Sequence, residues 1–502
     1  MTDETDQGPV LAHLGRSRDT KRVDTHISTV FLEPDRVLKI KRAVRLPFLD
    51  FSTLDKRKHA CEEELAVNRR FAPKIYRRVV PITQAHDGLH VGGDGRVVEW
   101  AVEMARFDEK RTLDHLAGHG VITPELADAL AEVMLAAHRG APTSDGASWL
   151  ASMTGLIDRN TAKSRDQSCL VRDEVERLHA LSLQALAEHL TLVQQRAAAG
   201  LVRRCHGDAH LGNIVLIDEK PVLFDAIEFD PDIATTDVLY DLAFPLMDLV
   251  HFDEAIAANR LFNRYLAASW QQNADALLLL PLFLSVRAGV RANVLFTRHE
   301  QSAGDVAALA QAKSYFDLAL RLIAPEKPSL IAVGGRSGTG KTVLARAIAA
   351  TPNPPPGAVV LRTDVIRKEL FGVDPLTALP ETAYTPDVNE RVYRTMLARG
   401  ETMLKQGVSV VFDAAFLRRD ERTLARALAN ASGARFCGLF LDASSSVRLQ
   451  RIASRGSDAS DATRDVALRQ DSFDIGALDW PVVDASGAPP ETLARAMTHL
   501  AG

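Results

Sequence analysis

The sequence predicts two domains: an α+β domain with a β-rich lobe and a helical lobe, followed by an α/β domain whose parallel sheet is covered by helices. Three observations predict this architecture. The chain has 502 residues, more than one hydrophobic core usually supports. Its apolar residues change from strand-like alternation near the N-terminus to helical spacing, and after residue 329 apolar strands alternate with helices. We therefore expect a flexible tail over residues 1–20, a first domain over 21–325 and a second domain over 326–502.

The composition is that of an ordinary globular protein, with 46% hydrophobic residues, 25% charged residues and a formal net charge of -5. This mild charge gives no reason to expect nucleic acid as the main partner, although a polynucleotide end stays a minor alternative. The four cysteines form no CxxC pair, which argues against a zinc site or a disulfide framework and fits a reducing cytoplasm. The sequence does not define the oligomeric state.

We predict neither a secretion signal nor a membrane segment. The residues "MTDETDQGPV" at the N-terminus are partly acidic and lack the apolar core of a secretory signal. The longest apolar run, "LLLLPLFLSV" from Leu277, has about ten residues, which is too short to span a bilayer. We therefore expect a buried helix there and a cytoplasmic protein.

The β-rich lobe is predicted from three strands. Two lie within residues 23–45 around the turn "EPDR", and a third covers Val97–Met104. Helical spacing over residues 113–199 and 236–323 then predicts the helical lobe. Between these helical blocks, "NIVLI" and "VLFDA" predict two short strands joined at "DEKP".

This hairpin is flanked by polar residues with catalytic spacing. In "HGDAHLGN", Asp208 precedes Asn213 by five residues, as in the catalytic loop of protein kinases, and Asp225 follows beyond the hairpin. Asp208 would accept the proton of an acceptor hydroxyl, while Asn213 and Asp225 would hold Mg²⁺ on the phosphates of ATP. His206 would brace the loop through hydrogen bonds.

A lysine on a strand and a glutamate on a helix complete this kind of phosphate site. Lys39 and Glu64 are the candidates, with Lys41 and Glu63 close behind, and spacing alone does not choose between the two lysines because they share a strand face. Glu103 and Met104 follow the third strand's core and are predicted to form the hinge whose backbone meets the adenine of ATP.

Two sets of side chains in the helical lobe are candidates for binding an acceptor. Arg287 and Arg291 are four residues apart on the apolar helix and would bind an anion. Alternatively, an acidic set would bind a cationic amino sugar: Asp230, Asp232, Asp237, Asp241 and Asp248. The simpler alternative, which we favour, is that Asp241 braces the catalytic loop and most of the other aspartates are solvated.

At HGDxxxxN and the following Asp225, residues 20–323 resemble the aminoglycoside phosphotransferase family of small-molecule kinases. The resemblance implies a protein-kinase-like bilobal fold and an ATP- and Mg²⁺-dependent kinase. Two features depart from the family pattern: "HISTVFLEP" contains no glycine-rich loop, and "DAIEF" replaces the usual aromatic residue after Asp225. The stretches "FLDFSTLDKRKHACEEELAVNRRFAPKIY" and "FDAIEFDPDIATTDVLYDLAFPLMDL" also resemble larger bacterial proteins in which such a domain is fused to a second kinase domain.

The second domain carries a phosphate-binding loop. "GRSGTGKT" satisfies GxxxxGK[ST] between a predicted strand and a predicted helix, so its backbone N–H groups and the helix dipole are suited to bind phosphates. Lys341 would reach the β and γ phosphates, and Thr342 would bind Mg²⁺. The predicted ATP site comprises Gly335, Ser337, Gly338, Thr339, Gly340, Lys341 and Thr342.

Charged residues follow two further predicted strands of the second domain. Asp364 and Arg367 lie at a strand's C-terminal end, where open α/β sheets bind ligands. Asp364 would accept a proton from the acceptor and Arg367 would hold an anionic group of the acceptor; the alternative is a helix-capping aspartate with a solvated arginine. Asp413 ends another strand and would hold Mg²⁺ or orient the acceptor, or else cap a helix.

Downstream arginines predict a lid. Arg451 and Arg455 share a helix face with four-residue spacing, so both would close onto the transferring phosphoryl group, unless they are solvated. The loop "VVDASG" at residues 482–487 is a weaker candidate for adenine contact. With these features, residues 329–502 resemble the small P-loop kinases of the gluconate, shikimate and polynucleotide 5′-kinase type. This resemblance implies phosphoryl transfer to a small acceptor, with Asp364 in the acceptor-base position.

For the whole chain we predict a phosphotransferase with two ATP sites acting on small-molecule hydroxyl groups. The alternative is that one domain binds ATP without catalysis, as a sensor or an NTPase switch that regulates the other domain or a protein partner. Both hypotheses use the same nucleotide contacts, so the motifs do not separate them.

Overall fold

The computed structural model describes residues 6–46, 49–301, 305–454 and 459–500, and the chain divides into two compact units, Met1–Phe252 and Asp253–Gly502. The helices between residues 255 and 323 fall in the second unit. One reason is Asn259, whose side-chain amide donates hydrogen bonds to the carbonyl oxygens of Ala349, Pro356 and Ala358. The division therefore differs from the sequence-based boundary between 325 and 326, which stays a prediction.

A six-stranded antiparallel sheet forms the β-rich lobe of the first unit, in the order β1-β2-β3-β8-β6-β7. The strands of this unit are β1 (Lys21–Asp24), β2 (Ser28–Leu32), β3 (Arg36–Lys41), β4 (Arg45–Leu46), β5 (Leu49–Asp50), β6 (Tyr76–Ala85), β7 (Gly88–Val91), β8 (Arg96–Ala105), β9 (Val202–Arg204), β10 (Ile214–Ile217), β11 (Lys220–Leu223) and β12 (Thr235–Asp237). The two strands predicted around "EPDR" are β2 and β3. The third predicted strand is β8, which pairs directly with β3.

The first unit also contains helices, two of which pack against this sheet. The helices are α1 (Gly8–Leu14), α2 (Leu54–Asn68), α3 (Leu113–Ala117), α4 (Pro124–Gly140), α5 (Ala147–Arg165), α6 (Arg172–Glu188), α7 (Leu190–Ala198), α8 (Pro231–Ala234) and α9 (Val238–His251). Of the range 1–20 that was predicted to be a flexible tail, helix α1 corrects residues 8–14. Its Val10 and Leu14 are buried against Phe31 and Leu38 of the sheet, and apolar burial of this kind holds a short helix in place.

The hairpin β10–β11 brings the ends of the catalytic segment together. Asp218 and Glu219 form its turn with φ of 51° and 59°, the left-handed conformation that two-residue hairpin turns require. Beyond the strands, the Phe224 N–H donates a hydrogen bond to the Asn213 carbonyl at 3.0 Å. The segments that carry Asn213 and Asp225 are thereby fixed side by side.

The second unit contains a five-stranded parallel sheet in the order β14-β15-β13-β16-β17. Its strands are β13 (Ser329–Gly335), β14 (Val359–Arg362), β15 (Val410–Asp413), β16 (Arg435–Asp442) and β17 (Val482–Asp484). The first four match predicted strands, and β17 replaces the start of the loop predicted at residues 482–487. Because the strands are parallel, the polar residues at the ends of β13, β14 and β15 lie at one edge of the sheet, where such folds bind ligands.

The second unit also contains helices, some of which pack on this sheet. The helices are α10 (Ala255–Ala268), α11 (Trp270–Asn273), α12 (Leu280–Gln301), α13 (Val306–Ile323), α14 (Lys341–Ile348), α15 (Thr363–Leu370), α16 (Pro386–Lys405), α17 (Arg419–Ala431), α18 (Ser445–Ala453), α19 (Arg464–Asp471) and α20 (Pro489–Leu500). Residues 270–301 contain a window with a mean hydropathy of 1.5, long and apolar enough to cross a membrane, but 67% of that window is buried within the fold. Such burial is typical of a core helix, which agrees with the buried helix predicted for this run.

Candidate active sites

The catalytic segment of the first unit is built around Asp208. Asn213 donates its side-chain amide to the carbonyl oxygen of Asp208 at 2.9 Å and to its carboxylate at 3.1 Å, so these two residues lie together as predicted. His206 supports both: its Nε2 is 3.0 Å from the Phe224 carbonyl, and its Nδ1 accepts the Asp208 N–H at 3.3 Å. Burial lowers the pKa of His206, which favours the neutral ring that these two bonds need.

Two aspartates of α9 brace the backbone of this segment. The Gly207 N–H donates to Asp241 Oδ1 at 2.9 Å, and the Leu211 N–H donates to Asp248 Oδ2 at 2.9 Å. The second oxygen of Asp241 lies 3.1 Å from His138 Nε2. Both carboxylates are buried, so they hold the backbone of the loop in place and are not exposed to an acceptor.

The other aspartates of the acidic set have separate partners. Asp237 is buried and pairs with Arg196 through two bonds of 2.6 and 2.8 Å, and Asp230 caps α8 by accepting the N–H of Asp232. The favoured prediction was therefore right for Asp241. Its expectation that most of the other aspartates are solvated is not met by Asp237 and Asp248, which are buried and accept hydrogen bonds.

Lys39, a candidate phosphate lysine, lies between two carboxylates. Lys39 Nζ is 2.9 Å from Glu64 Oε1 and 2.6 Å from Asp225 Oδ1. Burial disfavours the charge of Lys39, but the two carboxylates outweigh it and hold the Lys39 pKa well above its usual value. The structure thus brings together the predicted lysine, helix glutamate and metal aspartate.

A second buried lysine shares the same glutamate. Lys41, which is 0% exposed, lies 2.6 Å from Glu64 Oε2, and its other partner is Glu228. Burial would raise the pKa of Glu64, but the two lysines lower it; for Glu228 burial dominates and raises the pKa. Sequence reasoning missed Glu228, although its place three residues after Asp225, in the unusual "DAIEF", was a signal.

Asp225 adopts a backbone conformation that few side chains tolerate. Its φ is 60°, in the left-handed region, and its N–H donates to the Tyr76 hydroxyl oxygen at 3.1 Å. Strain of this kind is kept where it aims a functional side chain. Asp225 and Asn213 offer carboxylate and amide oxygens, the donors that Mg²⁺ prefers, so they fit the predicted cation.

Glu103 and Met104 are not in a hinge. Both lie inside β8, where Glu103 is opposite Leu38 on one side and Arg78 on the other. Glu103 also forms an ion pair with Arg78 at 3.0 Å, and Met104 is buried in the sheet's core. Because their backbone lies between two neighbouring strands, the prediction that it meets adenine is corrected; the chain leaves the sheet only after Ala105.

The phosphate-binding loop of the second unit follows β13 and opens α14. Gly335, Gly338 and Gly340 have φ of 138°, 85° and 93°. A side chain at Gly338 would place its Cβ 2.6 Å from the Arg448 carbonyl oxygen, so only glycine fits there. Lys341 Nζ donates to the Arg336 carbonyl at 3.1 Å, which keeps the lysine folded over the loop.

Within this loop the remaining predicted residues have local partners. The Thr339 hydroxyl donates to the Arg336 carbonyl at 2.8 Å. The Ser337 N–H donates to Gln470 Oε1, from α19, at 2.7 Å. Gln470 is a contact that sequence reasoning missed, because nothing in the sequence pattern relates it to the loop.

Thr342 and Asp413 lie together at the edge of the sheet. The Thr342 hydroxyl donates to Asp413 Oδ2 at 2.7 Å, so both predicted cation ligands present oxygen atoms to one place, which suits Mg²⁺. The guanidinium of Arg362 joins them, with Nε 3.1 Å from Asp413 Oδ2. Sequence reasoning missed Arg362, although a charged residue that ends an apolar strand just before Asp364 was an available signal.

Asp364 and Arg367 lie on the first turns of α15. Burial raises the pKa of Asp364, and the nearby charge of Asp413 raises it further. Arg367 is 6% exposed, donates to the Ala383 carbonyl at 2.8 Å and stacks on the Tyr384 ring at 4.7 Å. Its buried Nε has no hydrogen-bond partner among the described residues. The alternative of a capping aspartate with a solvated arginine is therefore wrong.

The predicted arginine lid differs in the structure. Arg451 donates to the carbonyl oxygens of Ala485 and Gly487, each at 2.7 Å, and so ties the loop after β17 to α18. Arg448 contacts the Ser337 carbonyl at 3.2 Å and pairs with Asp471. An η nitrogen of Arg451 also lies 3.5 Å from the Thr339 carbonyl of the phosphate-binding loop, so these contacts indicate a supporting role, and its catalytic role stays a prediction. Arg455 lies outside the described residues.

Arg287 and Arg291 both lie on α12 in the second unit. Arg287 is buried, and the Arg291 guanidinium lies 5.8 Å from the Tyr315 ring of α13. Their role in binding an acceptor stays a prediction.

Known proteins resemble the chain in both of its parts. The model of the phosphotransferase enzyme family matches residues 24–275, and that of the AAA domain matches residues 330–473. Uncharacterized proteins from Mycobacterium tuberculosis and Mycobacterium bovis are 29% identical over 468 residues, which is 90% of this chain and 90% of each relative.

Solved structures match the two parts separately. A choline/ethanolamine kinase family protein from Mesorhizobium loti is 14% identical with a TM-score of 0.36, over 64% of this chain and 96% of that chain. A gluconokinase from Sinorhizobium meliloti is 24% identical with a TM-score of 0.27, over 35% of this chain and 93% of that chain. Since the family model spanning residues 24–275 matches just over half of the 502 residues, the chain belongs to the phosphotransferase enzyme family and is a kinase.

Proposed function

We propose that the protein is an ATP- and Mg²⁺-dependent phosphotransferase with two nucleotide sites, which transfers the γ-phosphoryl group of ATP to a hydroxyl of a small molecule such as a sugar, an amino sugar or a nucleoside. The observation that carries the proposal is the contact of Lys39 with both Glu64 and Asp225, next to the Asp208–Asn213 pair. This arrangement combines a lysine that binds phosphate, a carboxylate that binds the metal ion and a general base, which together suit one phosphoryl transfer. We also propose that the protein acts in the cytoplasm.

At the first site, Lys39 exchanges Asp225 for the phosphates of ATP. Glu64 keeps Lys41 as a partner during this exchange, so no buried carboxylate is left uncompensated. Asp208 accepts the proton of the acceptor hydroxyl while Asn213 keeps the carboxylate oriented. Mg²⁺ bound by Asp225 and Asn213 would neutralise phosphate charge as the phosphoryl group moves.

At the second site, the loop from Gly335 to Thr342 binds the phosphates through its N–H groups, and Lys341 leaves the Arg336 carbonyl to join them. Asp364 accepts the acceptor's proton, which its raised pKa assists because a stronger base takes up the proton more readily. The unsatisfied Nε of Arg367 supports an acceptor that carries a carboxylate or a phosphate group.

The test is ATP consumption by the full chain against a panel of sugars, amino sugars, nucleosides and polyols. Wild type is compared with Asp208→Ala and Lys341→Ala. We expect Asp208→Ala to lose turnover with the acceptors of the first site and Lys341→Ala to lose turnover with those of the second. Each variant should keep the turnover of the unchanged site. If only one variant loses turnover, the other domain is a sensor or an NTPase switch. If neither change alters acceptor-dependent turnover, the kinase proposal is rejected for both sites.

A further inference from the structure

We propose that Arg362 is the catalytic arginine of the second site: it compensates the charge of Asp413 before nucleotide binds, and contacts the transferring phosphoryl group afterwards. This inference rests on the proposed phosphoryl transfer at the loop from Gly335 to Thr342. It concerns a residue that neither the loop motif nor the predicted lid includes.

The position of Arg362 is fixed by the sheet. As the last residue of β14, it is paired with Asp413, the last residue of β15, and both therefore end at the same edge. Its Nε lies 3.1 Å from Asp413 Oδ2, and an η nitrogen lies 3.3 Å from Thr342 Oγ1. The side chain is 8% exposed, so the guanidinium is held in the site and does not sweep through solvent.

The guanidinium thus contacts the two side chains that fit a divalent cation. A cation and a guanidinium compete for the same oxygens of Asp413 and Thr342, because both are positive and both need those oxygens as close partners. When the cation site fills, Arg362 loses its contacts with Asp413 and Thr342. Its N–H donors are then available to the phosphates bound by the adjacent loop.

Arginine is chemically suited to this second position. Its planar group presents several N–H donors in a fixed fork that matches the geometry of phosphate oxygens, and it stays charged when buried. Phosphoryl transfer spreads negative charge over three oxygens in the transition state, which a positioned arginine stabilises. Lys341 alone supplies a single point charge.

Other arginines near the loop bind different partners. Arg451 donates to the carbonyls of Ala485 and Gly487, and Arg336 Nε donates to the Gln470 carbonyl at 3.0 Å. Arg448 pairs with Asp471. Arg362 differs from these three because its partners are the cation ligands themselves, so filling the cation site changes its contacts.

The test uses the full chain and the variants Arg362→Met and Arg362→Lys. The matched control is Arg435→Met, which removes an exposed arginine from the start of β16, at the opposite edge of the same sheet. Melting temperature and circular dichroism establish that each variant folds. Measurements are made in the Asp208→Asn background, which removes turnover by the first site.

Nucleotide binding gives the first readout, with a fluorescent non-hydrolysable ATP analogue titrated at increasing Mg²⁺. We expect Arg362→Met to bind the analogue at several-fold lower Mg²⁺ than wild type, because a competitor for Asp413 and Thr342 is gone. If Arg362 had only a structural role, the variant would need more Mg²⁺ than wild type to bind the analogue, or the same amount. Either of those outcomes overturns the proposal.

Turnover gives the second readout, measured both with an acceptor and as slow ATP hydrolysis without one. We expect kcat to fall by about 10²–10³-fold in Arg362→Met with a smaller change in the KM for ATP, and Arg362→Lys to recover part of the loss. Unchanged kcat in Arg362→Met overturns the catalytic role. If the wild type transfers no phosphoryl group to any acceptor but its ATP hydrolysis depends on Arg362, the proposed function is rejected and the proposed role of Arg362 is retained.

Discussion

Lys39 Nζ lies 2.6 Å from Asp225 Oδ1, closer than its 2.9 Å contact with Glu64 Oε1. The lysine expected to bind nucleotide phosphates is thus held by the carboxylate expected to bind the cation. Under the proposed function, Lys39 and Asp225 separate when nucleotide and cation bind, whereas Lys41 stays paired with Glu228. We therefore propose different tasks for the two lysines of β3, although they share one strand face.

The first prediction separates these tasks by substitution. Lys39→Met should raise the KM for ATP and lower kcat of the first site with little loss of stability, because Glu64 keeps Lys41. Lys41→Met should instead lower the free energy of unfolding by about 3–5 kcal/mol, because it leaves two buried carboxylates short of a cation. Steady-state kinetics and urea denaturation measure the two effects. Equal losses of stability in both variants would contradict this division.

The double variant Lys41→Met with Glu228→Gln is the control for the buried charge. It removes one cation and one anion together, so it should regain much of the stability lost in Lys41→Met. If it is as unstable as the single variant, packing rather than charge explains the loss.

The second prediction concerns Asp241, which accepts the Gly207 N–H next to the proposed base. Asp241→Ala should lower the free energy of unfolding by about 1–3 kcal/mol, because a buried donor loses its acceptor. It should also lower kcat of the first site more than it raises the KM for ATP, since Gly207 adjoins Asp208 whereas the phosphate lysine candidate Lys39 lies on β3. Asp241→Asn retains an acceptor oxygen and should be milder in both respects. A loss confined to the KM for ATP would argue against a bracing role.

Sequence spacing predicted those parts of the sites in which the partners are close along the chain. Asp208 and Asn213 are five residues apart, and the residues from Gly335 to Thr342 form one loop, so local geometry fixes their relation. Arg362 was missed because its partner Asp413 is brought next to it by parallel strand pairing across 51 residues. Helical spacing predicted that Arg451 and Arg455 share a helix face and close onto the phosphates. The guanidinium of Arg451 reached the carbonyls of a loop more than thirty residues away.

The sequence pattern also could not decide whether Lys39 or Lys41 is the candidate for binding phosphate. Both lysines fit the strand pattern, and the choice depends on where Asp225 and Glu228 lie relative to β3. That relation is set by the packing of the hairpin β10–β11 and the segment after it, which periodicity does not describe. Glu103 and Met104 show the same limit on a smaller scale, because the pattern predicted the strand but not its last residue.

The third prediction is a pH dependence due to His206, which is 1% exposed. Burial lowers its pKa in the folded state, while in the unfolded chain it titrates near about 6.5. As the pH falls below that value, the unfolded chain binds a proton that the folded chain does not, so His206 reduces stability at acid pH. His206→Gln should flatten the fall in melting temperature between about pH 7 and 5. A difference between the two curves that does not change with pH would contradict this.

The fourth prediction tests whether Arg451 supports the loop after β17 or acts as a lid. Because its donors bind the carbonyls of Ala485 and Gly487, Arg451→Met should lower the melting temperature and leave kcat of the second site within a few-fold of wild type. Arg451→Lys, which keeps one charged donor, should lose less stability. A fall in kcat of about 10²-fold or more at unchanged stability would restore the lid hypothesis.

The fifth prediction concerns the protonation of Asp364. A base works only when deprotonated, so a pKa raised by burial and by Asp413 should move the acid limb of the second site's kcat/KM to higher pH than an ordinary carboxyl near about 3.9 would give. Activity is then lost as the pH falls through this raised pKa and is full above it.

The measurement uses the Asp208→Asn background, so that the first site does not contribute. Asp364→Asn should lower kcat by about 10²–10⁴-fold and retain nucleotide binding, because the loop from Gly335 to Thr342 is intact. An acid limb at or below about pH 4, or full turnover in Asp364→Asn, would assign the base to another residue.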